Sequence, residues 1–204
     1  KDRYRSMYVG VFYQRYIEGL WVSAQGVIYG DMFDEKENIL TEAEISKMEF
    51  EGEYYVSSDF GIQNPTAYLL WRKVAGEQKY VCLREWCYSG REERRQMTTK
   101  ELIDGLDDLC AGIKPKLVFI DPSASALIVE ARKRGYKVSE AENDFVNGIA
   151  HTGKLLQDRK LLFSESCKNV IKEFSLYMWD EKEAEKGRDV PIKKYDHTMD
   201  AMRT

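Results

Sequence analysis

The chain has 204 residues, of which 43% are hydrophobic, 32% charged and 12% aromatic, and its formal net charge is −4. This length suits one domain with a sizeable core and an appended arm. Because the chain is acidic overall, contact with nucleic acid requires a local basic patch. No apolar run approaches 18 residues and no signal peptide opens the chain, so we expect neither a membrane protein nor a secreted one.

The first 53 residues differ from the rest in composition. Residues 8–22 are rich in aromatic side chains, residues 26–33 predict a short extended piece, and residues 34–53 are acidic. Within the acidic part, the sequence Thr41-Glu42-Ala43-Glu44 is a helix-start signal. We therefore predict an N-terminal arm or linker over residues 1–53 and a folded domain over residues 54–204.

From residue 54 the patterns predict regular elements. Three β-branched and aromatic runs, at residues 54–59, 66–74 and 79–86, are separated by short gaps and predict sequential antiparallel strands. Apolar spacing predicts a helix within residues 92–110, and the continuous apolar run 116–121 predicts a strand covered on both faces. Next we predict a helix at 123–134, a strand at 136–141, helices at 147–159 and 166–180, a basic hairpin or loop at 187–194, and a last helix from Asp196.

The predicted order is β-β-β-α-β-α-β-α. An antiparallel meander followed by α/β crossovers is the order of the ribonuclease H-like fold. We therefore expect an α/β protein of this class, a resolvase/integrase-type mixed sheet with three antiparallel strands, then parallel strands, flanked by helices.

Two aspartates lie at the ends of predicted strands. Asp59 ends the first strand in Ser-Ser-Asp-Phe-Gly, and Asp121 ends the fourth in Phe-Ile-Asp-Pro-Ser. In an open α/β sheet, ligands bind beyond the strand ends where the strand order reverses. Because the first and fourth strands are neighbours in the expected topology, Asp59 and Asp121 are predicted to face each other there.

A third acidic position lies in the last helix, in Asp-His-Thr-Met-Asp-Ala-Met-Arg. Helical spacing places Asp196, His197 and Asp200 on one face. Carboxylates brought together need a cation, and hard divalent ions such as Mg²⁺ or Mn²⁺ prefer oxygen ligands. Two such ions about 3.5–4 Å apart activate a water and stabilise the leaving oxygen in phosphodiester cleavage. The alternative is structural: Asp121 and Asp196 as helix caps, and His197 as a packed, hydrogen-bonded side chain.

Four segments together carry a resemblance to a known family. They are Ser57–Gly61 with Asn64–Ala67, Phe119–Ala124, Asn147–Ile149 and Asp196–Arg203. In this order they resemble the nuclease domain of the large terminase subunit of tailed bacteriophages, most closely the headful-packaging type. The stretch Trp21-Val22-Ser23-Ala24-Gln25-Gly26-Val27-Ile28-Tyr29 is similar to the sequence that follows the ATPase domain in that family.

The resemblance implies a metal-dependent endonuclease that cuts concatemeric double-stranded viral DNA during genome packaging. It implies Asp59, Asp121 and Asp200 as catalytic metal ligands for Mg²⁺ or Mn²⁺, with two ions bridged by Asp59. His197 is expected to be a catalytic residue close to the metals, and Asp196 an ancillary one. The implied partners are double-stranded DNA, an ATPase domain before residue 1, the small terminase subunit and the capsid portal. The implied location is the host cytoplasm, with no membrane contact and no place in the mature virion.

Contact with DNA is expected from local basic groups. The segment 186–194 leads into the third motif, so Arg188, Lys193 and Lys194 are the first candidates, in a mobile hairpin over the active-site groove. Lys154, just past the fifth predicted strand, is placed to reach a phosphate. The clusters at residues 91–95 and 132–134 are more typical of solvated helix faces.

Three other functions remain open from the sequence. A resolvase-type nuclease of the same fold would prefer branched DNA. An actin-like ATPase or sugar kinase also has Asp-x-Gly at its first strand, but it needs a second phosphate loop and an adenosine-binding glycine pair, which the sequence lacks. In a non-catalytic module that docks on the portal, the acidic residues would serve only as helix caps.

Overall fold

The computed structural model describes residues 8–20, 22, 24–61, 65–141 and 144–204. Trp21, Ser23 and Asn64, which belong to the motifs above, lie outside these residues. In the described part, the strands are β1 (Ile39–Leu40), β2 (Phe50–Asp59), β3 (Thr66–Val74), β4 (Tyr80–Tyr88), β5 (Leu117–Ile120), β6 (Val138–Glu140) and β7 (Leu161–Ser164).

These strands form one seven-stranded sheet in the order β1-β7-β4-β3-β2-β5-β6. The β2–β3 and β3–β4 pairs are antiparallel, and the other neighbouring pairs are parallel. The sheet confirms the predicted ribonuclease H-like order, in which three antiparallel strands are continued by parallel ones. It also confirms that the strands ending at Asp59 and before Asp121 are neighbours.

Helices cover both faces of the sheet. They are α1 (Gly10–Tyr16), α2 (Glu35–Asn38), α3 (Glu42–Ile45), α4 (Thr99–Cys110), α5 (Ser125–Lys133), α6 (Phe145–Gln157), α7 (Lys168–Phe174), α8 (Glu181–Ala184) and α9 (His197–Arg203). Capping boxes start α3, at Thr41 and Glu44, and α4, at Thr98 and Glu101. The helix-start signal at residue 41 is therefore confirmed. No helix among the described residues has the length and apolar character needed to cross a bilayer.

The central strand β3 separates two hydrophobic cores, because its side chains alternate between the faces of the sheet. Tyr68 and Leu70 pack with α4 and α5 on one face, while Leu69 and Trp71 pack with α6, α7 and α9 on the other. All four side chains are buried. The second face carries the helix with the third acidic motif and so positions it over the sheet.

Residues before position 54 contribute to the same sheet and core. Phe12 of α1 and Tyr29 are buried in the cluster on the α9 face, and β1 pairs with β7 at the sheet edge. The predicted extended piece over residues 26–33 is wrong beyond Val27, which bridges to Met178. The chain then turns, because the N–H groups of Met32 and Phe33 both donate to the carbonyl of Tyr29.

Several other boundaries differ from the prediction. The sequence does not predict strand β7, because a run of four apolar or small residues between two helical patterns carries no periodicity of its own. The helix predicted over 166–180 spans only Lys168–Phe174, and residues 178–180 instead bond with residues 190–192. With a bridge from Trp179 to Pro191, residues 187–194 form a loop that supplies one arm of this pairing, rather than a hairpin within itself. The four cysteines are free thiols, and Cys87 is exposed.

Candidate metal-dependent active site

The parallel pair β2–β5 brings two aspartates to the same edge of the sheet. The ladder runs to Ser57 opposite Phe119, so two further residues on each strand lead to Asp59 and Asp121. At that point the buried Ser58 hydroxyl donates to the carbonyl of Phe119, at 2.8 Å. This bond fixes the two strand ends where the regular ladder stops, and it leaves both carboxylates at the edge of the core.

Asp121 also shapes the turn that leads into α5. Its Oδ1 accepts a hydrogen bond from the N–H of Ser123 at 2.7 Å, as in an Asx turn. The side chain is half-buried. A cap-like role and a place directly after β5, the neighbour of the strand that ends at Asp59, therefore occur in the same residue.

The first turn of α9 contacts the end of β2. His197 Nδ1 lies 3.0 Å from Asp59 Oδ2, which joins the helix directly to the strand. The predicted N-cap position of Asp196 is confirmed, but its side chain makes no capping hydrogen bond. Glu173 of α7 caps the helix instead, with Oε2 accepting from the N–H of Thr198 at 2.8 Å and from its hydroxyl at 2.5 Å.

Three side chains surround the buried carboxylate of Asp200. The ammonium of Lys193 donates to Oδ2 at 3.0 Å, and the hydroxyl of Tyr177 donates to Oδ1 at 3.3 Å. The guanidinium of Arg203, one helical turn along, lies 3.6 Å from Oδ1. Asp200 thus accepts hydrogen bonds from Tyr177 and Lys193 and forms an ion pair with Arg203.

Asp196 lies beside this group and is itself almost fully buried. Its Oδ2 is 3.3 Å from the Lys193 ammonium, and its Oδ1 is 3.7 Å from His197 Nε2. No hydrogen bond from the described residues reaches Oδ1, so within that part of the chain a buried carboxylate oxygen is unsatisfied. Such a group is costly to bury unless a cation or a donor completes it.

Burial and charge shift the pKa values of the interacting groups. Burial raises the pKa of Asp59 above its usual range; the hydrogen bond with His197 opposes this, and the charge of Asp200 adds to it. Burial alone would lower the pKa of His197, but its bond with Asp59 and the charges of Asp59 and Asp196 outweigh that effect and raise it. Burial also acts to lower the pKa of Lys193, but the charges of Asp200 and Asp196 and the hydrogen bonds to them raise it above its usual range.

These side chains fit a hard divalent cation, since carboxylate oxygens dominate and one of them is buried with no hydrogen-bond partner in the described part of the chain. Within the described residues, however, no three His, Cys, Asp or Glu side chains are arranged to hold a metal ion together. Asp59, Asp196, His197 and Asp200 form one contact network, and Lys193 supplies its positive charge.

The predicted DNA-binding cations lie in different places. Lys193 and Lys194 line a groove beside His197, whereas Lys154 lines a separate groove along α6 and pairs with Asp158 at 2.6 Å. Arg188 pairs with Glu183 at 2.5 Å. Arg95 and all three cations of the 132–134 cluster also form ion pairs with carboxylates. Of the predicted cations, Lys193 therefore contacts the carboxylates directly, and Lys194 lies in the groove beside His197.

Two residues of the site carried no signal in the sequence. Glu173 and Tyr177 reach α9 from 25 and 23 residues away, through contacts that only the tertiary structure creates. Neither belongs to a recognisable motif, and each sits in a stretch with ordinary helical composition. Tyr177 is buried and Glu173 half-buried, and both hydrogen-bond to the helix that carries Asp200.

Comparison with known proteins gives the relationship of this chain. No protein-family model and no curated protein matches it. Among solved structures, the large terminase of a thermophilic bacteriophage, in complex with ADP, is 43% identical with a TM-score of 0.88. The match covers 99% of this chain and 49% of that terminase. The chain is a relative of the bacteriophage large terminases.

This chain therefore spans about half the length of the large terminase that it matches. Two isolated nuclease domains share its fold. The nuclease domain of the P22 large terminase is 19% identical with a TM-score of 0.65, and the match covers 87% of this chain and 89% of that domain. The nuclease domain of the large terminase of bacteriophage SPP1, with bound Mn, is 17% identical with a TM-score of 0.57, covering 82% and 94% respectively.

Proposed function

We propose that this chain is a divalent-metal-dependent DNA endonuclease and forms the nuclease part of a large terminase. The observation that carries the proposal is the contact between His197 and Asp59, at 3.0 Å. It brings the helix with Asp200 to the sheet edge where Asp59 and Asp121 end neighbouring strands. A ribonuclease H-like sheet with acidic residues at this edge is suited to phosphodiester hydrolysis.

Asp59, Asp121 and Asp200 are the proposed metal ligands. They would hold two ions, Mg²⁺ or Mn²⁺, with Asp59 contributing to both. When bound, the metals would activate water and stabilise charge on the leaving oxygen. The SPP1 nuclease domain with bound Mn supports divalent metal use. His197 orients Asp59 through its Nδ1 contact and can hold a proton there, and Asp196 is an ancillary acidic group.

Lys193 and Lys194 are the proposed contacts to the DNA backbone nearest the site, with Lys154 and Arg188 further away. We propose that the complete protein cuts concatemeric double-stranded viral DNA in the host cytoplasm during packaging. There, residues 1–53 would follow an ATPase domain, and the small terminase subunit and the capsid portal would be partners. This chain matches about half of the thermophilic phage's large terminase, which supports the proposal that the complete protein has another domain.

Cleavage of supercoiled plasmid in Mn²⁺, Mg²⁺ or EDTA tests the nuclease proposal. Wild type is expected to nick and linearise the plasmid only with metal, and Asp121→Ala to lower the rate by about 10³-fold. The reason is that metal charge stabilisation is worth several kcal/mol and each ~1.4 kcal/mol changes a rate tenfold.

Asp108→Ala is the matched control, because Asp108 is exposed on α4, a helix outside the contact network of Asp59, Asp196, His197 and Asp200. It is expected to cleave as wild type does. Absence of metal-dependent cleavage by folded wild type would contradict the proposal and favour a docking module. A preference for branched over linear DNA would instead identify a resolvase-type nuclease.

A further inference from the structure

A groove of about 340 Å³ opens beside the candidate active site. It runs from His197 between α7, residues 193–195 and the loop that follows β4. Its volume is at the low end of the range of about 300–1,000 Å³ for small-molecule sites. A groove of this size accommodates a short part of one DNA strand rather than a double helix.

Two lysines line this groove without a carboxylate partner. Lys172 of α7 and Lys194 form no ion pair among the described residues, whereas Lys193 beside them pairs with two aspartates. Both residues are exposed, so their ammonium groups are accessible to a ligand. Two unpaired ammonium groups in one groove next to a nuclease site provide charge for a phosphodiester backbone.

Tyr195 holds the two lysines together. The Lys194 Nζ lies 4.7 Å and the Lys172 Nζ 5.9 Å from the centre of its ring. The ring is 40% exposed, and the backbone of Tyr195 has a φ of 57°, in the left-handed region that favours glycine. Such strain persists where the surroundings fix the residue, and it clusters at functional sites.

The wall of the groove is joined to the active-site helix. Lys172 precedes Glu173, whose carboxylate accepts both hydrogen bonds from Thr198 in the first turn of α9. A ligand held by Lys172 is therefore held by the same helix that positions α9. The loop after β4 also lines the groove, with Arg91 and two glutamates at positions 92 and 93, so its own charge is net negative. The lysines of the groove come from α7 and residues 193–194.

We infer that Lys172, Lys194 and Tyr195 form a phosphodiester-binding subsite for the DNA strand next to the bond that is cut. Lys172 and Lys194 neutralise backbone phosphates, and the Tyr195 ring fixes the spacing of their ammonium groups. This inference rests on the proposed nuclease function and adds a subsite to it.

The test is the salt dependence of binding to a short DNA duplex in EDTA, which separates binding from cleavage. A plot of the logarithm of the DNA association constant against the logarithm of the salt concentration has a negative slope. Its magnitude is expected to decrease by about 0.9 for each lost phosphate contact. The double variant Lys172→Gln and Lys194→Gln should therefore decrease the magnitude of this slope by about two. Tyr195→Leu should weaken binding by about two- to five-fold, as expected for lost cation–π contacts, and Tyr195→Phe should restore it.

Lys168→Gln is the matched control, because Lys168 lies on the same helix, is exposed and does not line the groove. It should keep the wild-type slope. An unchanged slope in the double variant would overturn the subsite, even if wild type cleaves plasmid. A reduced slope in the double variant supports the subsite even where the cleavage assay fails, so the two proposals are distinguished.

Discussion

A buried phenol holds one oxygen of the Asp200 carboxylate. Tyr177 is fully buried, stacks on Tyr29 with ring centres 5.7 Å apart, and donates to Asp200 Oδ1. Groups that orient a metal ligand in this way commonly change metal affinity by about 10- to 100-fold when mutated. Tyr177→Phe is expected to weaken Mn²⁺ binding about tenfold, because the carboxylate loses a directed donor; calorimetric titration with Mn²⁺ alone measures it.

Tyr68→Phe supplies the matched control for that change. Tyr68 is equally buried in the core on the α4 face, but its hydroxyl has no hydrogen-bond partner among the residues that the structure describes. Removing it should leave Mn²⁺ affinity unchanged. Equal affinity in the two variants would show that the Tyr177 hydroxyl does not orient Asp200.

At the scale of elements, two helices are capped by side chains from their neighbours. Glu85 of β4 accepts from the N–H groups of Asn169 and Val170, at 2.7 and 2.9 Å, at the start of α7, where the N-cap residue makes no side-chain bond. Glu173, near the end of the same helix, then caps α9. The sheet, α7 and the active-site helix are thus joined in series by two carboxylates.

Glu85→Ala is expected to lower the free energy of unfolding by about 1 kcal/mol, the usual effect of losing a helix cap. It should also speed amide hydrogen exchange in the first turn of α7. Chemical denaturation and exchange rates measure the two effects. Glu77→Ala, which removes only an exposed ion pair with Lys79, should change stability by a few tenths of a kcal/mol. Equal effects of the two variants would argue against the cap.

At the scale of the whole molecule, the first helix is part of the core that supports the site. Phe12 of α1 is 2% exposed and packs edge-on against Trp179, with ring centres 6.0 Å apart. Phe12→Ala is expected to lower the free energy of unfolding by about 3–5 kcal/mol, as for other buried phenylalanines. Urea denaturation measures it.

Tyr16→Ala, on the same helix, removes an aromatic ring that is 57% exposed. It should have a much smaller effect than Phe12→Ala. Similar small losses in both variants would mean that α1 contributes little to the core and behaves as a detachable arm.

Those parts of the fold that have a local pattern could be predicted from the sequence. Strand β3 and the run before Asp121 are predictable because apolar residues continue through them, and Asp59 and Asp121 because each follows such a run. Strand β7 is not, because Leu161–Ser164 is too short to show a period. Glu173 and Tyr177 could not be predicted as site residues, because their contacts with α9 form only in the folded structure.

Lys193 gives the carboxylates of Asp196 and Asp200 a counter-ion that is tied to the chain. Its ammonium lies 3.0 Å from Asp200 and 3.3 Å from Asp196, so an incoming cation must displace a charge that cannot diffuse away. A singly charged ion gains no Coulomb energy from that exchange, whereas a doubly charged ion does. At the proposed metal site, the tethered lysine would therefore favour divalent over monovalent ions.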